Sequence, residues 1–378
     1  MTRLRAGLAV LIVAGVCAPA VSAGILPPLP LPLPSPPAPS GLPVPSGGGG
    51  SSAGQTHTPP PPRPSRSPPS RCADQSVSGV IAFSAAVFPC DFPDPMVMRS
   101  GGAWFAYGSA TGWEEGGRAF PILRSTDLRH WRFVTDALIH APGWSSGDLW
   151  GPSVLFWRGR YLLFYNARRR AGGLHCLAVA VGASPAGPFQ TRRRLACSTR
   201  GERGFIDPAP LVAPRHRLYL FVSVDSPQHS IAALRLSADG LRALGRPRTV
   251  LGVSPRWGTL RAKTVEGPWP VHRHGFYYLF YSAGSWGLDY RMAYAVARSP
   301  LGPYADSAPV PILSATAQLP APGGGSVLGG PGSSSWLAFT AWSGLPGYAL
   351  GSQRTLRIAP LRWTSRGIPR IVLSASAT

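Results

Sequence analysis

Three carboxylate residues recur in the same local setting along this 378-residue chain, although they lie far apart in the sequence. They are Asp94, Asp207 and Glu266, each next to Pro or Gly and each leading into an apolar strand pattern. A carboxylate at the head of a buried strand is costly unless it is paired or used in chemistry. Two carboxylates flanking a glycosidic bond are the minimum for its hydrolysis, because one protonates the leaving oxygen while the other activates water or attacks the sugar. A third can raise the pKa of the proton donor by like-charge repulsion.

Turn chemistry is the alternative explanation for any one of these motifs, because Asp and Pro are common in turns. The chain contains only 15 Asp and Glu residues, so the remainder can be compared with this set. Many of them lie in polar turns or Gly-rich loops, or have no counterpart in the other motifs. Those set aside are Asp74, Glu114, Glu115, Asp127, Asp136, Glu202, Asp239, Asp289 and Asp306. The three aligned acids are therefore the candidate catalytic set.

The acids belong to a series of five motifs, each followed roughly ten residues later by an aromatic strand pattern. The motifs are Asp94-Pro95, Gly151-Pro152, Asp207-Pro208, Glu266-Gly267-Pro268 and Gly324-Gly325-Ser326, 56 to 60 residues apart. A fixed period of this size is the signature of repeated supersecondary units. Each period contains several short strand patterns, which predicts an all-β fold, a five-bladed β-propeller with four antiparallel strands per blade. A two-sheet sandwich, the alternative, does not predict the five-fold period.

A second repeated pattern supports the period independently. Ser184–Phe189 and Ser299–Tyr304 share the pattern Ser-Pro-x-Gly-Pro-aromatic, and they lie two periods apart. Equivalent positions in the blades of a propeller lie at equivalent distances from its axis. We therefore expect the three acids to converge at one end of that axis.

The N-terminal part of the chain differs from the rest in composition. Residues 1–23 combine basic residues, an apolar run from Leu8 to Val16 and a small-residue site ending at Ala23, which predicts a secretory signal peptide. The run is too short for the alternative, a transmembrane anchor. Residues 24–72 are rich in Pro, Gly and Ser and are predicted to be a disordered linker. Residues 73–378 form the predicted catalytic propeller domain, and we expect the protein to be secreted.

Four of the five cysteines lie beyond the predicted cleavage site, in a chain expected to reach an oxidising compartment. Four cysteines allow three pairings. The local pairing, Cys72 with Cys90 and Cys176 with Cys197, is favoured because each pair flanks a plausible strand connection.

The net charge of +22 comes almost wholly from Arg, since Lys263 is the only Lys. A basic chain raises the question of nucleic-acid binding. The Arg residues are scattered, however, and the only runs are Arg168–Arg170 and Arg192–Arg194. We therefore expect no nucleic-acid partner and no membrane association after removal of the signal peptide. The expected partner is a polysaccharide or oligosaccharide substrate, bound by a monomer.

Around the three acids the sequence resembles glycoside hydrolase family 43, over roughly residues 85–365. The segments that carry the resemblance are Phe92–Val97, Leu149–Val154, Phe205–Pro208, Val265–Pro268 with Gly275–Ser282, and Arg354–Trp363. The fourth of these is the most specific. The resemblance implies a five-bladed propeller that hydrolyses arabinose- or xylose-containing polysaccharides with inversion. It also implies roles for the acids: Asp94 as general base, Glu266 as general acid, and Asp207 as modulator of the acid's pKa.

Several positions depart from the family pattern. Gly324 and Thr340 stand where the family often has His, and Ser153 stands where the second motif usually carries Asp. The two missing His side chains put an axial calcium or water site in doubt, so we expect no cofactor and no metal. Related fructan-processing propellers usually place Arg and Cys where this chain has Ile206 and Gly267, which disfavours fructans.

Three tryptophans near the motifs are candidate sugar platforms, because the apolar faces of sugars stack on flat rings. They are Trp113, Trp150 and Trp286. Packing within a blade is the alternative for each of them. Together these features predict a secreted inverting glycoside hydrolase acting on arabinofuranosyl or xylosyl linkages. The alternative functions are a non-catalytic carbohydrate-binding propeller and, on charge alone, a basic adhesin for acidic polymers.

Overall fold

The computed structural model of the protein describes residues 72, 75–77, 83, 85–113, 116–198, 204–257, 264–307 and 311–373. The predicted signal peptide and all but the last residue of the predicted linker lie outside these residues. Cys72, at the end of that linker, is buried and bonded to Cys90, and Cys176 is bonded to Cys197. These are the two pairings that the sequence favours.

The fold is all-β. Apart from short 3-10 turns, the regular elements of the described residues are strands. In chain order the strands are β1 (Phe88–Asp91), β2 (Met96–Ser100), β3 (Ala103–Tyr107), β4 (Gly112–Trp113), β5 (Gly116–Gly117), β6 (Pro121–Ser125), β7 (Arg132–Asp136), β8 (Ser145–Trp157), β9 (Arg160–Arg169), β10 (His175–Gly182), β11 (Gln190–Cys197), β12 (Gly204–Ala213), β13 (Arg217–Asp225), β14 (Ser230–Leu236), β15 (Ala243–Gly252), β16 (Val265–Arg273), β17 (Phe276–Ala283), β18 (Arg291–Ala297), β19 (Ala305–Asp306), β20 (Gly323–Gly329), β21 (Ser335–Trp342), β22 (Arg354–Trp363) and β23 (Pro369–Ile371). The 3-10 turns are Pro214–His216, Pro255–Trp257, Pro331–Ser333 and Tyr348–Leu350.

Over the described residues, most of these strands form five antiparallel units that follow the period seen in the sequence, while β4 and β5 pair only with each other. The units are β2-β3-β6-β7, β8-β9-β10-β11, β12-β13-β14-β15, β16-β17-β18-β19 and β20-β21-β22-β23. The second and third units are continuous, because β10 and β12 meet in a parallel bridge between His175 and Gly204. Strand β1 pairs with β22, so that the start of the fold is added to its last unit.

Burial explains the order of strands within a unit. The second strand of each unit, such as Ala103–Tyr107 and Phe276–Ala283, is buried along nearly its whole length. A strand covered on both faces reads as a continuous apolar run, which is the aromatic pattern of the sequence. The outer strands Arg132–Asp136 and Gln190–Cys197 instead contain no buried residue.

Side-chain hydrogen bonds join distant units as well as neighbouring ones in the sequence. The hydroxyl of Ser326, in the fifth unit, donates to the carbonyl of Pro95 at the first unit and accepts from the backbone N–H of Val97. The indole of Trp104 donates to the carbonyl of Gly329. The first unit therefore contacts the last. Within the described part of the chain, no helix is long and apolar enough to cross a membrane.

Candidate active site

One residue at the start of each unit adopts a left-handed backbone conformation, at the motif that recurs in the sequence. The φ angles are 53° at Asp94, 56° at Gly151, 52° at Asp207, 59° at Gly267 and 59° at Gly324. In four of the units the strand pairing shifts register at this point, which marks a β-bulge. Glycine adopts this conformation at no steric cost, whereas a non-glycine residue there stores strain and often serves a function. Two of the predicted acids occupy the position themselves, and Glu266 directly precedes it.

A ring of buried polar side chains links these motifs to one another. The backbone N–H of each of four left-handed residues donates to a side-chain oxygen in the last part of the second strand of the preceding unit, or just after that strand in the case of Ser109. The bonds are Gly151 to Ser109 Oγ (2.9 Å), Asp207 to Asn166 Oδ1 (3.2 Å), Gly267 to Ser223 Oγ (3.0 Å) and Gly324 to Ser282 Oγ (2.9 Å). Thr340 holds the corresponding position in the fifth unit. These bonds gather the five motifs around one centre.

Close backbone approach at this centre explains two of the glycines. A Cβ at Gly151 would lie 2.6 Å from Asp207 Cα, and a Cβ at Gly324 would lie 3.1 Å from Asp94 Oδ1. The first distance is shorter than real Cβ contacts allow, and both positions have positive φ. Glycine at these two positions therefore leaves room for Asp207 and Asp94 of the adjacent units.

The three predicted acids line a single cavity of about 740 Å³. Trp150, Trp286, Tyr290 and Arg354 are also among its lining residues, together with Trp113. The sequence period therefore predicts correctly that Asp94, Asp207 and Glu266 meet.

Asp94 is held by two donors. Its Oδ2 accepts a hydrogen bond of 2.6 Å from the Ser109 hydroxyl, and its Oδ1 lies 3.3 Å from Nη1 of Arg354. The Arg354 side chain is 17% exposed, and its guanidinium stacks over the ring of Trp286 at 5.1 Å. Its Nε also donates to the hydroxyl of Tyr348. The arginine thus places a fixed positive charge beside Asp94.

Asp207 and Glu266 lie in the same poorly solvated region. The Oδ2 of Asp207 accepts from the Ser223 hydroxyl (3.0 Å) and from the Gly267 N–H (3.1 Å). Burial, and then the negative charge of Asp94, raise the pKa of Asp207. Burial, and then the charge of Asp207, raise the pKa of Glu266. A carboxyl group with a raised pKa keeps its proton to higher pH, which is what a general acid requires.

Tyr290 contacts Glu266 directly. Its hydroxyl donates to Glu266 Oε1 at 2.8 Å. Burial, and then the charge of Glu266, raise the pKa of Tyr290 well above its usual value, so the hydroxyl keeps its proton. Because Oε1 accepts from Tyr290, a proton on Glu266 is directed to the other carboxyl oxygen.

The three predicted platforms differ in their surroundings. Trp286 is 43% exposed at the cavity and stacks on Trp342, with ring centroids 5.9 Å apart. Trp150 is partly exposed and packs against the ring of His175 at 4.7 Å. Trp113 is only 4% exposed, and its indole donates to the carbonyl of Asp91. For Trp113 the structure thus favours the packing alternative.

Sequence reasoning gave no role to several residues that shape this site. Arg354 opens a strand whose family resemblance is visible in the sequence, but its contact with Asp94 spans 260 residues. Tyr290 lies between strands and outside the repeated motifs. The ring residues do carry a signal, since Ser109, Asn166, Ser223, Ser282 and Thr340 lie 57 to 59 residues apart.

An axial metal does not fit the side chains present. Gly324 supplies no ligand at the position where the family often has His. Among the described residues, no group of three or more His, Cys, Asp or Glu side chains is arranged to hold a metal ion. The absence of a cofactor stays a prediction.

Comparison with known proteins identifies relatives of this chain. The model of the glycosyl hydrolases family 43 matches residues 83–369. The extracellular endo-α-(1→5)-L-arabinanase 1 of Bacillus subtilis (strain 168) is 23% identical over 62% of this chain and 71% of its own length. The extracellular exo-α-(1→5)-L-arabinofuranosidase of Cellvibrio japonicus (strain Ueda107) is 24% identical over 74% and 86%. The crystal structure of a thermostable family-43 glycoside hydrolase superposes with a TM-score of 0.67 at 27% identity, covering 76% of this chain and 95% of that one.

Proposed function

The chain belongs to glycosyl hydrolases family 43 and is a glycoside hydrolase; from this premise we propose that it is a secreted, inverting enzyme that cleaves arabinofuranosyl or xylosyl linkages in polysaccharides such as arabinan or arabinoxylan. The observation that carries the proposal is the meeting of Asp94, Asp207 and Glu266 in one cavity. The alternative, a non-catalytic carbohydrate-binding propeller, does not require three carboxylates in one site.

We propose that the five antiparallel units are the blades of a five-bladed β-propeller. The ring of hydrogen bonds between successive motifs supports this arrangement, and so do the contacts of the fifth unit with Pro95 and Val97 of the first. The pairing of β1 with β22 would then close the circle. Under this arrangement the acids lie at one end of the central axis.

In the proposed mechanism, Glu266 is the general acid and Asp94 is the general base. Glu266 protonates the glycosidic oxygen as the bond to the sugar breaks, while Asp94 takes a proton from the water that attacks the opposite face. Asp207 modulates the acid, because its negative charge makes Glu266 harder to ionise. Arg354 and Ser109 hold the Asp94 carboxylate in place during the reaction.

For substrate binding we propose that Trp150 and Trp286 stack on sugar rings at the cavity. Both line it and both are at least partly exposed. The arabinan-directed names of the two relatives support a substrate of the same class. Because the ring of Trp113 is buried, its contribution to substrate binding would be limited to shaping the wall of the cavity.

Secretion is supported by the predicted signal peptide over residues 1–23, by the two disulfides and by the extracellular names of the two relatives. Disulfides persist in oxidising compartments. We propose that the mature enzyme acts outside the cell as a monomer, without a nucleic-acid partner or membrane association.

The test of this function is incubation of the secreted protein with arabinan, arabinoxylan, xylan, levan and aryl-glycosides, followed by identification of the products. We expect release of arabinose, arabino-oligosaccharides or xylose, and no release of fructose from levan. Failure to hydrolyse any arabinoside or xyloside would contradict the proposal. Hydrolysis of levan alone would point to the fructan-processing relatives instead.

A further inference from the structure

The hydrogen-bond directions at Ser223 follow from its two partners when Asp207 is ionised. The N–H of Gly267 donates to Ser223 Oγ, so the serine acts as acceptor there. Its own proton is therefore free for Asp207 Oδ2, which lies 3.0 Å away and has no proton to give when ionised. Ser223 is 1% exposed, so bulk water does not compete for these bonds.

The same direction holds at Ser109. The N–H of Gly151 donates to Ser109 Oγ at 2.9 Å, and the hydroxyl donates to Asp94 Oδ2 at 2.6 Å. Ser109 is also 1% exposed. One hydroxyl thus connects the acid of its own unit to the backbone of the next unit.

The fourth and fifth units differ from this arrangement. Ser282 Oγ accepts from the Gly324 N–H, and the donor to Glu266 Oε1 is the hydroxyl of Tyr290. Thr340, the corresponding hydroxyl of the fifth unit, donates to the carbonyl of Gly323. Ser109 and Ser223 are therefore the two ring hydroxyls that donate directly to an acid of their own unit.

We propose that Ser109 and Ser223 are positioning residues for the reaction, each orienting the acid of its own unit by a proton whose direction is fixed by the N–H of the next unit. The inference rests on the proposed roles of Asp94, Asp207 and Glu266. It gives residues of the polar ring a role in the reaction, in addition to joining the units. A hydrogen bond donated to a carboxylate stabilises its ionised form, so these serines also set the charge of the site.

Asp207 gives the clearest measurement, because Ser223 donates to it directly. The charged or titratable groups that face Asp207 are Asp94, Glu266, Tyr290 and Arg354. Ser223→Ala removes one donor to Asp207 while the Gly267 N–H remains. We expect the pKa of Asp207 to rise further, by about one unit, the size expected for loss of a hydrogen bond to a charged group. The readout is a ¹³C NMR titration of the side-chain carboxyl carbons, with the Asp207 signal assigned by its loss in Asp207→Asn.

Two variants complete the experiment. For Ser109→Ala we expect kcat on arabinan to fall about tenfold with little change in KM, because Asp94 is misaligned while the sugar-binding rings are intact. Ser237→Ala is the matched control: it removes a buried hydroxyl that likewise accepts from a backbone N–H and donates to an acid, Asp239, but does not line the cavity, and we expect the Asp207 titration and kcat to stay as in the wild type. Thermal unfolding of each variant checks that it is folded, and the Ser223 and Ser109 variants are independent of each other.

The proposal is overturned if Asp207 titrates in folded Ser223→Ala as it does in the wild type, or if Ser237→Ala shifts the Asp207 titration equally. It is also overturned if Ser109→Ala raises KM with kcat unchanged. A wild type that is inactive on every arabinoside and xyloside would refute the proposed function, whereas the NMR titration would still decide whether Ser223 controls Asp207.

Discussion

Asp94→Asn should lower turnover by about 10³- to 10⁴-fold on natural polysaccharide and on activated aryl-glycosides alike. The amide cannot take a proton from the attacking water, and both kinds of substrate need that water. The amide oxygen can still accept one of the two hydrogen bonds that hold the carboxylate, from Ser109 or from Arg354, while the NH2 group takes the other position. Loss of activity would therefore reflect lost chemistry in a folded protein.

The measurement is kcat on both substrate types, together with thermal unfolding. Asp127→Asn is the matched control, because Asp127 is a half-exposed turn residue that caps the backbone N–H groups of Arg129 and His130. That variant should keep wild-type kcat. Comparable activity of Asp94→Asn and the wild type would show that Asp94 is not the base.

Glu266→Gln should produce an effect that depends on the leaving group. A polysaccharide leaving group needs protonation as the bond breaks, so its turnover should fall by about 10²- to 10⁴-fold. An activated aryl group leaves without much protonation, so its turnover should fall far less. A plot of kcat/KM against leaving-group pKa should therefore be steep in the variant and shallow in the wild type. Equal losses on both substrates would contradict the assignment of Glu266 as general acid.

The pH profile gives a second readout of the same variant. The general acid is active in its protonated form, so activity falls as the pH rises through the pKa of Glu266. Burial and the charge of Asp207 raise that pKa, which extends activity toward neutral and higher pH than an ordinary Glu would allow. In Glu266→Gln this falling limb should disappear. Its persistence would assign the limb to another group.

The period of the motifs explains why the meeting of the acids was predictable. Asp94 and Asp207 are more than a hundred residues apart in the sequence, and Glu266 lies further on. Equivalent positions in repeated units must nevertheless come together. The backbone detail was harder to predict. The left-handed residue is the acid itself at Asp94 and Asp207 but is Gly267, the residue after the acid, in the fourth unit. Spacing alone does not separate these two registers.

Residues outside the repeat could not be placed from sequence. Arg354 reaches Asp94 only because β1 and β22 pair across the ends of the fold. Trp113 and Trp286 both follow aromatic strands near Gly, yet one is packed against Phe88 and Phe133 and the other is exposed at the cavity. Their difference depends on tertiary packing, which a local pattern does not contain.

The most direct test of the central account, that Glu266 and Asp94 act from opposite faces of the sugar, is the configuration of the first product. Wild-type enzyme would be mixed with an α-L-arabinofuranoside or another substrate that it cleaves, and ¹H NMR spectra would be recorded before mutarotation mixes the anomers. The account predicts that the first-formed sugar has the anomeric configuration opposite to that of the substrate, because water attacks directly. A first product that keeps the substrate's configuration would require a covalent glycosyl-enzyme intermediate and would contradict the assignment of Asp94 as a base.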